Sequence, residues 1–290
     1  MRVADEFLDA VRTQGFAIME GFLSPDEVET AREALFAIYP RPEQYFADPE
    51  SYRHLVAHQF AGLTEAPFGK PALDRLAVHP DLVDAAERYC GTTDLQVYKI
   101  ELWAKYSGTV DYDQPHHRDF GNHNLVVPRA DGRWPQLTSF ILLSDVTEED
   151  GPTRVVPRAV GDREPMSPRL LEPGCFADDE VPVIGPAGTL FSYTTDVFHR
   201  GSAFTGHERS RFALLSDFSE RGNPWMGKMS WPNTANRPAW IEMITNASVR
   251  ERDLFGFPPP GHEYWNDQTR HDVGRRYPGM DMEPYTRATD

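Results

Sequence analysis

The stretch LQVYKIELWA, residues 95–104, marks the point at which the chain changes from a helical to a β-rich pattern. Successive side chains of a β-strand point to opposite faces, so this alternation predicts a strand with one apolar and one polar face. The apolar face holds Tyr98, Ile100, Leu102 and Ala104, and the polar face holds Val97, Lys99, Glu101 and Trp103. We expect the apolar face to pack on helices. Lys99, Glu101 and Trp103 would then look into a barrel, where a substrate is one partner for their charges. The alternative is a face that is partly solvated at a sheet edge.

Before this strand, the chain is predicted to be mainly helical. Ser24 is followed by a proline and then by Glu27, which is the pattern of a helix N-cap with a capping box. Gly15 and Gly91 are expected to end two further helices. The predicted helices cover residues 3–13, 25–38 and 80–89, and a short strand covers residues 16–19.

After this strand, apolar runs separated by turn residues predict further strands. They cover residues 137–143, 153–156, 189–193 and 212–218. We therefore expect one domain over residues 1–290, with a helical part at 1–93 and a β-rich core at 94–220. Two stretches have no clear period: a lid-like insert at 158–187 and an irregular, aromatic and proline-rich segment at 221–290. For each stretch, two interpretations stay open: a lid over a binding site, or a segment that only covers the surface of the domain.

Composition excludes several classes of protein. The chain has 290 residues and a formal net charge of −16, which argues against binding to nucleic acid or to an anionic membrane surface. Its content of 40% hydrophobic and 12% aromatic residues is typical of a chain with a packed core. Two cysteines, the lack of a long apolar run and an acidic N-terminus predict a cytoplasmic protein without a disulfide framework.

A short motif holds the first candidate metal ligands. His117 and Asp119 are two residues apart, so in an extended strand both side chains point to one face. One imidazole and one carboxylate on a common face are two of the three ligands of a 2-His-1-carboxylate triad. His199, at the end of a glycine-led apolar strand, is the expected third ligand. Arg211, at the start of the last strand, offers a guanidinium that can bind a carboxylate at two points.

This ordered set of motifs resembles the phytanoyl-CoA dioxygenase family of iron(II)/2-oxoglutarate oxygenases between Gly15 and Phe218. Five features of the family occur here in order. They are a strand followed by a helix at residues 15–24, the HxD motif at 117–119, an acidic hairpin at 142–151, the distal histidine at His199 and an arginine at a strand start, Arg211. The resemblance implies a mainly β fold with flanking α-helices, a double-stranded β-helix of the jelly-roll or cupin-like type with N-terminal helices. It also implies that His117, Asp119 and His199 hold Fe(II) and that Arg211 anchors the far carboxylate of 2-oxoglutarate.

The sequence departs from the family pattern after the distal histidine. The family often has Gly-Ser directly after it, whereas Arg200 intervenes here. We interpret this as a one-residue insertion that keeps Ser202 as a second contact for 2-oxoglutarate, with Phe140 as a wall of the same pocket. Arg209 is the rival anchor, and Arg211 is preferred because Phe-Ala follows it at the strand start.

The resemblance implies a dioxygenase that uses Fe(II), 2-oxoglutarate and O₂, with ascorbate as an optional supporting reductant. It would oxidise a small-molecule metabolite and release succinate and CO₂. Asp119 favours hydroxylation over halogenation, because related halogenases replace this carboxylate with a small residue. Three other reactions stay open, namely desaturation, epoxidation and ring formation. The oligomeric state and the substrate also stay open. Glu101 would suit a cationic group on the substrate.

Two other functions remain possible from the sequence. The same three ligands would also suit Zn²⁺ or Mn²⁺ in a hydrolase or isomerase. A non-enzymatic β-barrel binding protein that kept the triad only by descent is the second alternative.

Overall fold

The computed structural model describes residues 2–108, 112–120, 132–165, 170–222 and 237–286. Within these residues, the strands are β1 (Phe16–Met19), β2 (Leu63–Glu65), β3 (Leu95–Tyr106), β4 (His116–His117), β5 (Gln136–Leu142), β6 (Thr153–Val155), β7 (Leu170–Leu171), β8 (Val181–Pro182), β9 (Leu190–Tyr193), β10 (His199–Gly201) and β11 (Ser210–Glu220). The helices are α1 (Asp5–Gln14), α2 (Pro25–Leu35), α3 (Pro42–Ala47), α4 (Pro71–Leu76), α5 (Pro80–Cys90), α6 (Arg158–Gly161), α7 (Pro238–Asn246), α8 (Val249–Leu254), α9 (Asp267–Arg276) and α10 (Glu283–Thr286). Short 3₁₀ helices cover Pro49–Leu55 and Glu148–Asp150.

The described strands form two antiparallel sheets. The first sheet has six strands in the order β1-β9-β5-β11-β3-β2, and the second has five in the order β7-β4-β10-β6-β8. The longest pairing joins β11 to β3, and β1 closes the far edge of the first sheet by pairing with β9. Two such sheets with helices around them confirm the predicted mainly β fold with N-terminal helices.

The N-terminal helices begin and end where the local sequence requires. At the start of α2, the Ser24 hydroxyl accepts a hydrogen bond from the Glu27 amide, and the Glu27 carboxylate accepts one from the Ser24 amide at 2.8 Å. Gly15 and Gly91 end α1 and α5 in the left-handed conformation, with φ of 90° and 72°, which glycine adopts without steric cost. None of the helices in the described ranges has the length and hydropathy that a membrane span requires.

The main hydrophobic core lies between the N-terminal helices and one face of the first sheet. Ile100 and Leu102 of β3 and Leu214 of β11 are fully buried there against helical residues such as Leu35 and Leu82. This confirms that the apolar face of β3 packs on helices. The opposite face of the first sheet is left to line the space between the two sheets.

A β-bulge corrects the predicted faces of β3. Asp217 pairs with Lys99 whereas Phe218 pairs with Val97, so Tyr98 is an extra residue on β3. Two residues opposite one is the definition of a bulge. Val97 therefore joins the core, while burial and the nearby carboxylates of Asp217 and Asp119 raise the pKa of Tyr98. The strict alternation predicted from the sequence is wrong at these two positions, because it cannot include an inserted residue.

Both stretches that lacked a sequence period hold regular structure where they are described. Within residues 158–187, β7 pairs with β4 and β8 pairs with β6, so the lid-like insert supplies both edge strands of the second sheet. Residues 237–286 form α7 to α10 around an aromatic cluster that includes Trp240, Trp265 and Tyr285, so this part of the C-terminal segment is helical rather than irregular. Residues 223–236 lie outside the described residues. The helical part at 1–93 also contributes β1 and β2, and β2 had no sequence signal.

Candidate metal centre and cavity

The three predicted metal ligands converge on the inner side of the second sheet. His117 on β4 and His199 on β10 are register partners, and Asp119 follows β4. Their ligand atoms all lie within 4.8 Å of one another. Asp119 Oδ1 is 3.7 Å from Nε2 of His117, and its Oδ2 is 3.5 Å from Nε2 of His199. The structure thus brings His199 next to His117 and Asp119, which lie far earlier in the chain.

Hydrogen bonds leave both Nε2 atoms available to a metal. Nδ1 of His117 lies 3.0 Å from the carbonyl oxygen of Pro115, and Nδ1 of His199 lies 3.2 Å from that of Val197. A carbonyl oxygen only accepts, so each Nδ1 carries the proton and each Nε2 keeps its lone pair. Burial lowers the pKa of His199 to about 4, so its imidazole is neutral at pH 7. This donor set fits a divalent first-row metal, Fe(II) included.

Tyr193 positions the carboxylate of this group. Its hydroxyl donates to Asp119 Oδ2 at 2.7 Å, and burial raises the pKa of Tyr193 well above its ordinary value. The hydroxyl therefore stays protonated and limits the rotation of the Asp119 carboxylate. Sequence analysis did not single out Tyr193. Its place on the inner face of β9, two residues from Phe191, is visible only once the strand pairing is known.

A cavity of about 680 Å³ lies between the two sheets next to the triad. All three triad residues line it, together with the predicted Arg211 and Phe140. The volume falls in the range of small-molecule sites.

Two adjoining parts of the cavity wall have different lining residues, and Lys105 lies where they meet, with its Nζ 5.7 Å from the centre of the Trp103 ring. The first part, here called the Arg211 side, is formed by β5, β9 and β11 of the first sheet and by neighbouring residues of the second. Besides Arg211, its wall is mostly apolar and includes Phe140, Leu142, Phe191 and Val183. The second, here called the Trp103 side, lies between β2 and β3 of the first sheet and β4 and β7 of the second. Its wall includes Trp103, Glu101, Lys99, Phe60, Leu63 and Leu170.

The two candidate anchors for 2-oxoglutarate have different surroundings. Arg211 is 9% exposed, lines the cavity and donates to the carbonyl of Gly151. The side chain of Arg209 is 40% exposed and pairs with Glu149. Among the described residues, only the first of these two arginines reaches the cavity, which favours Arg211. Lys105, the register partner of Arg211 on β3, also lines the cavity; from sequence, it was indistinguishable from a surface residue.

Ser202 is not brought to the described cavity wall. Its hydroxyl donates to the carbonyl oxygen of Pro152 at 2.7 Å, and Gly201 lines the cavity in its place. The physical reason is strand alternation: Gly201 shares a face with His199, whereas Arg200 and Ser202 face the other way. One inserted residue moves a strand side chain to the opposite face. The insertion therefore places Ser202 away from the pocket, contrary to the expectation from the sequence.

The polar face of β3 looks into the cavity rather than into bulk solvent. Lys99 Nζ lies 3.2 Å from Glu101 Oε1, and Trp103 Nε1 donates to Glu101 Oε2 at 3.0 Å. Burial opposes the charge on Lys99, but the carboxylates of Asp217 and Glu101 outweigh it and raise its pKa. Asp217 itself is fully buried opposite Lys99, and burial raises its pKa to about 7. Sequence analysis did not single out Asp217, which lies after the apolar run of this strand.

An ionic cluster lies behind the triad and is formed by the buried side chains of His116, Glu180 and Arg200 and by the exposed Asp113. Glu180 accepts from Arg200 at 2.9 and 2.6 Å, and it lies 2.8 Å from Nε2 of His116. Arg200 also donates to Asp113 at 2.5 Å. His116 and Arg200 are the chain neighbours of His117 and His199. The cluster therefore joins both ligand-bearing strands to the segment that precedes β8.

The fold and the site together define a class of protein, a double-stranded β-helix with a 2-His-1-carboxylate triad facing a cavity. The sequence profile described as phytanoyl-CoA dioxygenase (PhyH) matches residues 11–213, and the chain belongs to this family. Members of the family use Fe(II) and 2-oxoglutarate, which confirms the predicted cofactors at the level of the family. No curated protein is similar enough in sequence to count as a significant match.

Solved structures share the fold at low sequence identity. The carbocyclase SnoK from nogalamycin biosynthesis is 21% identical with a TM-score of 0.55, and the match covers 80% of this chain and 90% of SnoK. EctD from S. alaskensis is 19% identical with a TM-score of 0.55, covering 79% and 83% of the two chains. The epimerase SnoN, in a complex with Fe³⁺, alpha ketoglutarate and nogalamycin RO, is 19% identical with a TM-score of 0.53, covering 78% and 95%. These similarities confirm the predicted double-stranded β-helix.

Proposed function

We propose that this protein is an Fe(II)/2-oxoglutarate-dependent oxygenase that hydroxylates a small molecule. The observation that carries the proposal is one cavity that holds both the triad of His117, Asp119 and His199 and the buried guanidinium of Arg211. A metal-dependent hydrolase or isomerase needs the metal ligands, but its chemistry does not by itself require a carboxylate anchor beside them. Since the named relatives include an epimerase and a carbocyclase, hydroxylation is the part of the proposal that most needs a test.

Each residue of the site has a defined task in this proposal. The two imidazoles and Asp119 would hold the metal, and all three residues line the cavity. Tyr193 holds the Asp119 carboxylate in orientation through its 2.7 Å hydrogen bond. When bound, iron and 2-oxoglutarate supply the activation of dioxygen for oxidation of a substrate C–H bond, with release of succinate and CO₂. Because Asp119 is retained, no ligand position is freed for a halide.

The Arg211 side of the cavity suits the organic co-substrate. The guanidinium of Arg211 would bind the far carboxylate of 2-oxoglutarate, and Lys105 would add a second positive charge on the neighbouring strand. Phe140, Leu142 and Phe191 line the same side with apolar surface. They would pack against the methylene groups of 2-oxoglutarate and exclude water, which strengthens the charged contact.

An anaerobic titration with Fe(II) and 2-oxoglutarate tests the cofactor part. We expect a weak visible charge-transfer band in the wild-type protein. Arg211→Ala should raise the 2-oxoglutarate concentration needed for half of the band by about 100-fold, since a buried charged contact is lost. Arg209→Ala is the matched control, because Arg209 lies close by on the chain but pairs with Glu149. A band that depends on Arg209 but not on Arg211 would contradict the anchor assignment.

The reaction itself is tested by substrate-dependent release of succinate. Mass spectrometry of the product distinguishes hydroxylation, which adds 16 mass units, from desaturation, which removes two. A bound metal without any charge-transfer band would refute the oxygenase proposal and favour a hydrolase, an isomerase or a binding protein.

A further inference from the structure

The middle residue of the HxD motif is a fully buried arginine. Arg118 lies between the ligands His117 and Asp119, and only 1% of its surface is exposed. Neighbouring residues of an extended chain point to opposite sides, and Arg118 is not part of the described cavity wall. Burial of a charged side chain is costly unless its N–H groups have partners. The partners of Arg118 therefore indicate its role.

Arg118 binds the segment that follows β6. Its guanidinium donates to the carbonyl oxygens of Pro165 at 2.7 Å, Gly161 at 3.0 Å and Glu164 at 3.3 Å. These carbonyls lie at the C-terminal end of α6 and in the turn after it, where they lack the N–H partners of a continuing helix. Hydrogen bonds from a cation are stronger than those between neutral groups. The HxD motif is thus fixed to residues 158–165, here called the α6 segment.

The same guanidinium contacts the chain neighbour of the third metal ligand. Cζ of Arg118 lies 3.9 Å from the centre of the Phe198 ring, a distance at which a cation is attracted to an aromatic face. Phe198 is fully buried and directly precedes His199. Its carbonyl oxygen also accepts from the Val156 amide at 2.8 Å. One side chain therefore connects the HxD motif to the strand of the distal histidine.

A second arginine fixes the α6 segment to the turn between β9 and β10. Arg158, the first residue of α6, donates to both carboxylate oxygens of Asp196, at 2.9 and 2.8 Å, and to the hydroxyl of Thr194 at 2.8 Å. This turn leads directly into the strand of His199. The α6 segment thus supports both parts of the chain that carry metal ligands, and Arg118 contacts both of them.

We propose that Arg118 is a positioning residue of the metal centre, which keeps β4 and β10 at the separation at which the three ligands reach one ion. The inference rests on the proposed function, because that function requires the metal. Arg118 contacts no reacting atom and acts only through the strands that carry the ligands. A residue with this role changes metal affinity and ligand geometry, whereas a residue that stabilises only the fold changes neither in the folded protein.

Binding of Co(II) to the metal-free protein tests the inference. Co(II) is the probe because its visible spectrum reports ligand geometry and requires neither 2-oxoglutarate nor dioxygen. Arg118→Met keeps a long side chain but removes the donor from three carbonyl groups. We expect Co(II) affinity to fall by about 30-fold, as for other residues that orient metal ligands, and the spectrum of the saturated variant to change. Arg118→Lys keeps the charge and one donor group, so its affinity should fall by less than about tenfold.

Arg252→Met is the matched control. Arg252 is 3% exposed, donates to the carbonyl oxygens of Ile244 at 2.9 Å and Thr245 at 3.2 Å, and lies 5.8 Å from the centre of the Tyr285 ring. It repeats the surroundings of Arg118 within the C-terminal helices, outside the described cavity wall. This variant should lose stability but keep Co(II) affinity within about twofold of the wild type, with an unchanged spectrum. Circular dichroism sets a temperature at which each variant is folded.

The outcomes separate this inference from the proposed function. Wild-type Co(II) affinity and spectrum in folded Arg118→Met would overturn the inference, and an equal loss of affinity in Arg252→Met would attribute the effect to general destabilisation and overturn it too. If Arg118→Met does not fold, Arg118→Lys decides in the same way. Tight Co(II) binding by a wild-type protein that shows no charge-transfer band with Fe(II) and 2-oxoglutarate would refute the oxygenase proposal, and the comparison of the arginine variants would still test the role of Arg118.

Discussion

The two sheets that face each other across the cavity are stabilised by different interactions. The first sheet has long strands, with 12 residues in β3 and 11 in β11, and its outer face is buried by apolar contacts with the helices. In the second sheet, β4, β7 and β8 have two residues each. Around these short strands, the cluster of His116, Glu180, Arg200 and Asp113 supplies ionic contacts. The metal ligands therefore lie on the sheet that depends on polar geometry, while most of the apolar stabilisation lies in the other sheet and its helices.

The largest effect is expected from a change that leaves both sheets in place. His199→Ala removes one of three metal ligands, and Fe(II) affinity should fall by more than about 100-fold, beyond the effect of losing an outer contact. Turnover should be lost with it. Calorimetric titration under anaerobic conditions measures the affinity, and circular dichroism checks that the fold is retained. Unchanged iron binding would mean that the ligand assignment is wrong.

A truncation in the apolar core should lower the stability of the fold but leave iron affinity nearly unchanged. Leu214 is fully buried between β11 and the helices, so Leu214→Ala should lower the free energy of unfolding by about 3 kcal/mol. Iron affinity should stay within about twofold of the wild type at temperatures where the variant is folded. Urea unfolding measures the first quantity and metal titration the second. A large loss of iron affinity in the folded variant would show that the two sheets are not independent.

A substitution in the ionic cluster behind the triad should lower both stability and iron affinity, each by less than in the two variants above. Glu180→Gln keeps the shape of the side chain but removes its charge beside Arg200, and should cost about 2 kcal/mol of stability. Iron affinity should fall by about tenfold, because the strands that carry both histidines are less firmly held. Glu148→Gln is the control, since Glu148 is an exposed partner of Arg154, and exposed pairs contribute little. Loss of stability with unchanged iron affinity would separate the cluster from the metal site.

The smallest effect is expected from a buried carboxyl group among the helices that cover the first sheet. Asp74 in α4 is 6% exposed, and burial raises its pKa to about 6. An acid with a raised folded-state pKa contributes stability in acid that is lost as the pH rises through that value. Asp74→Asn should therefore match the wild type only below about pH 4, the ordinary range of an aspartate, and exceed its stability by about 1 to 2 kcal/mol at pH 8. Urea unfolding at both pH values measures this difference.

Glu27→Gln supplies the control of opposite sign. Hydrogen bonds from Arg2 hold the pKa of Glu27 well below its ordinary value, so its ionised form contributes stability that is lost as the pH falls. This variant should be less stable than the wild type at pH 7, and the difference should shrink in acid. The same sign of pH dependence in both variants would contradict these assignments.

Sequence patterns predicted the elements whose signals are local. The capping box at Ser24, the glycines that end α1 and α5, and the alternation along β3 all act within a few residues. The strands β7 and β8 have two residues each and exist only because they pair with β4 and β6. Likewise, α7 to α10 pack around a shared aromatic cluster rather than following a strong periodic pattern. Elements whose formation depends on tertiary partners were therefore missed.

The same distinction applies to the candidate site. His117 and Asp119 are paired by their spacing, and Arg211 is placed by its position at a strand start. Ser202 lies outside the described cavity wall because it faces away from the side of the strand that carries His199 and Gly201, which a motif comparison does not reveal. Tyr193 and Asp217 were not found because their importance comes from neighbours on other strands. Their interactions cross the sheets, where sequence distance carries no information.

The pairing of β1 with β9 has a consequence for how the chain is made. Phe16 and Tyr193 are partners in one edge of the first sheet, so β1 is synthesised long before the strand with which it pairs. Contacts between such distant residues slow folding, because a long loop must close before they contribute. Until β9 and β11 have been synthesised, β1 has no strand to pair with, and the apolar faces of α1 and α2 have no sheet to pack against. We expect the newly made N-terminal third to be the part that molecular chaperones bind during synthesis.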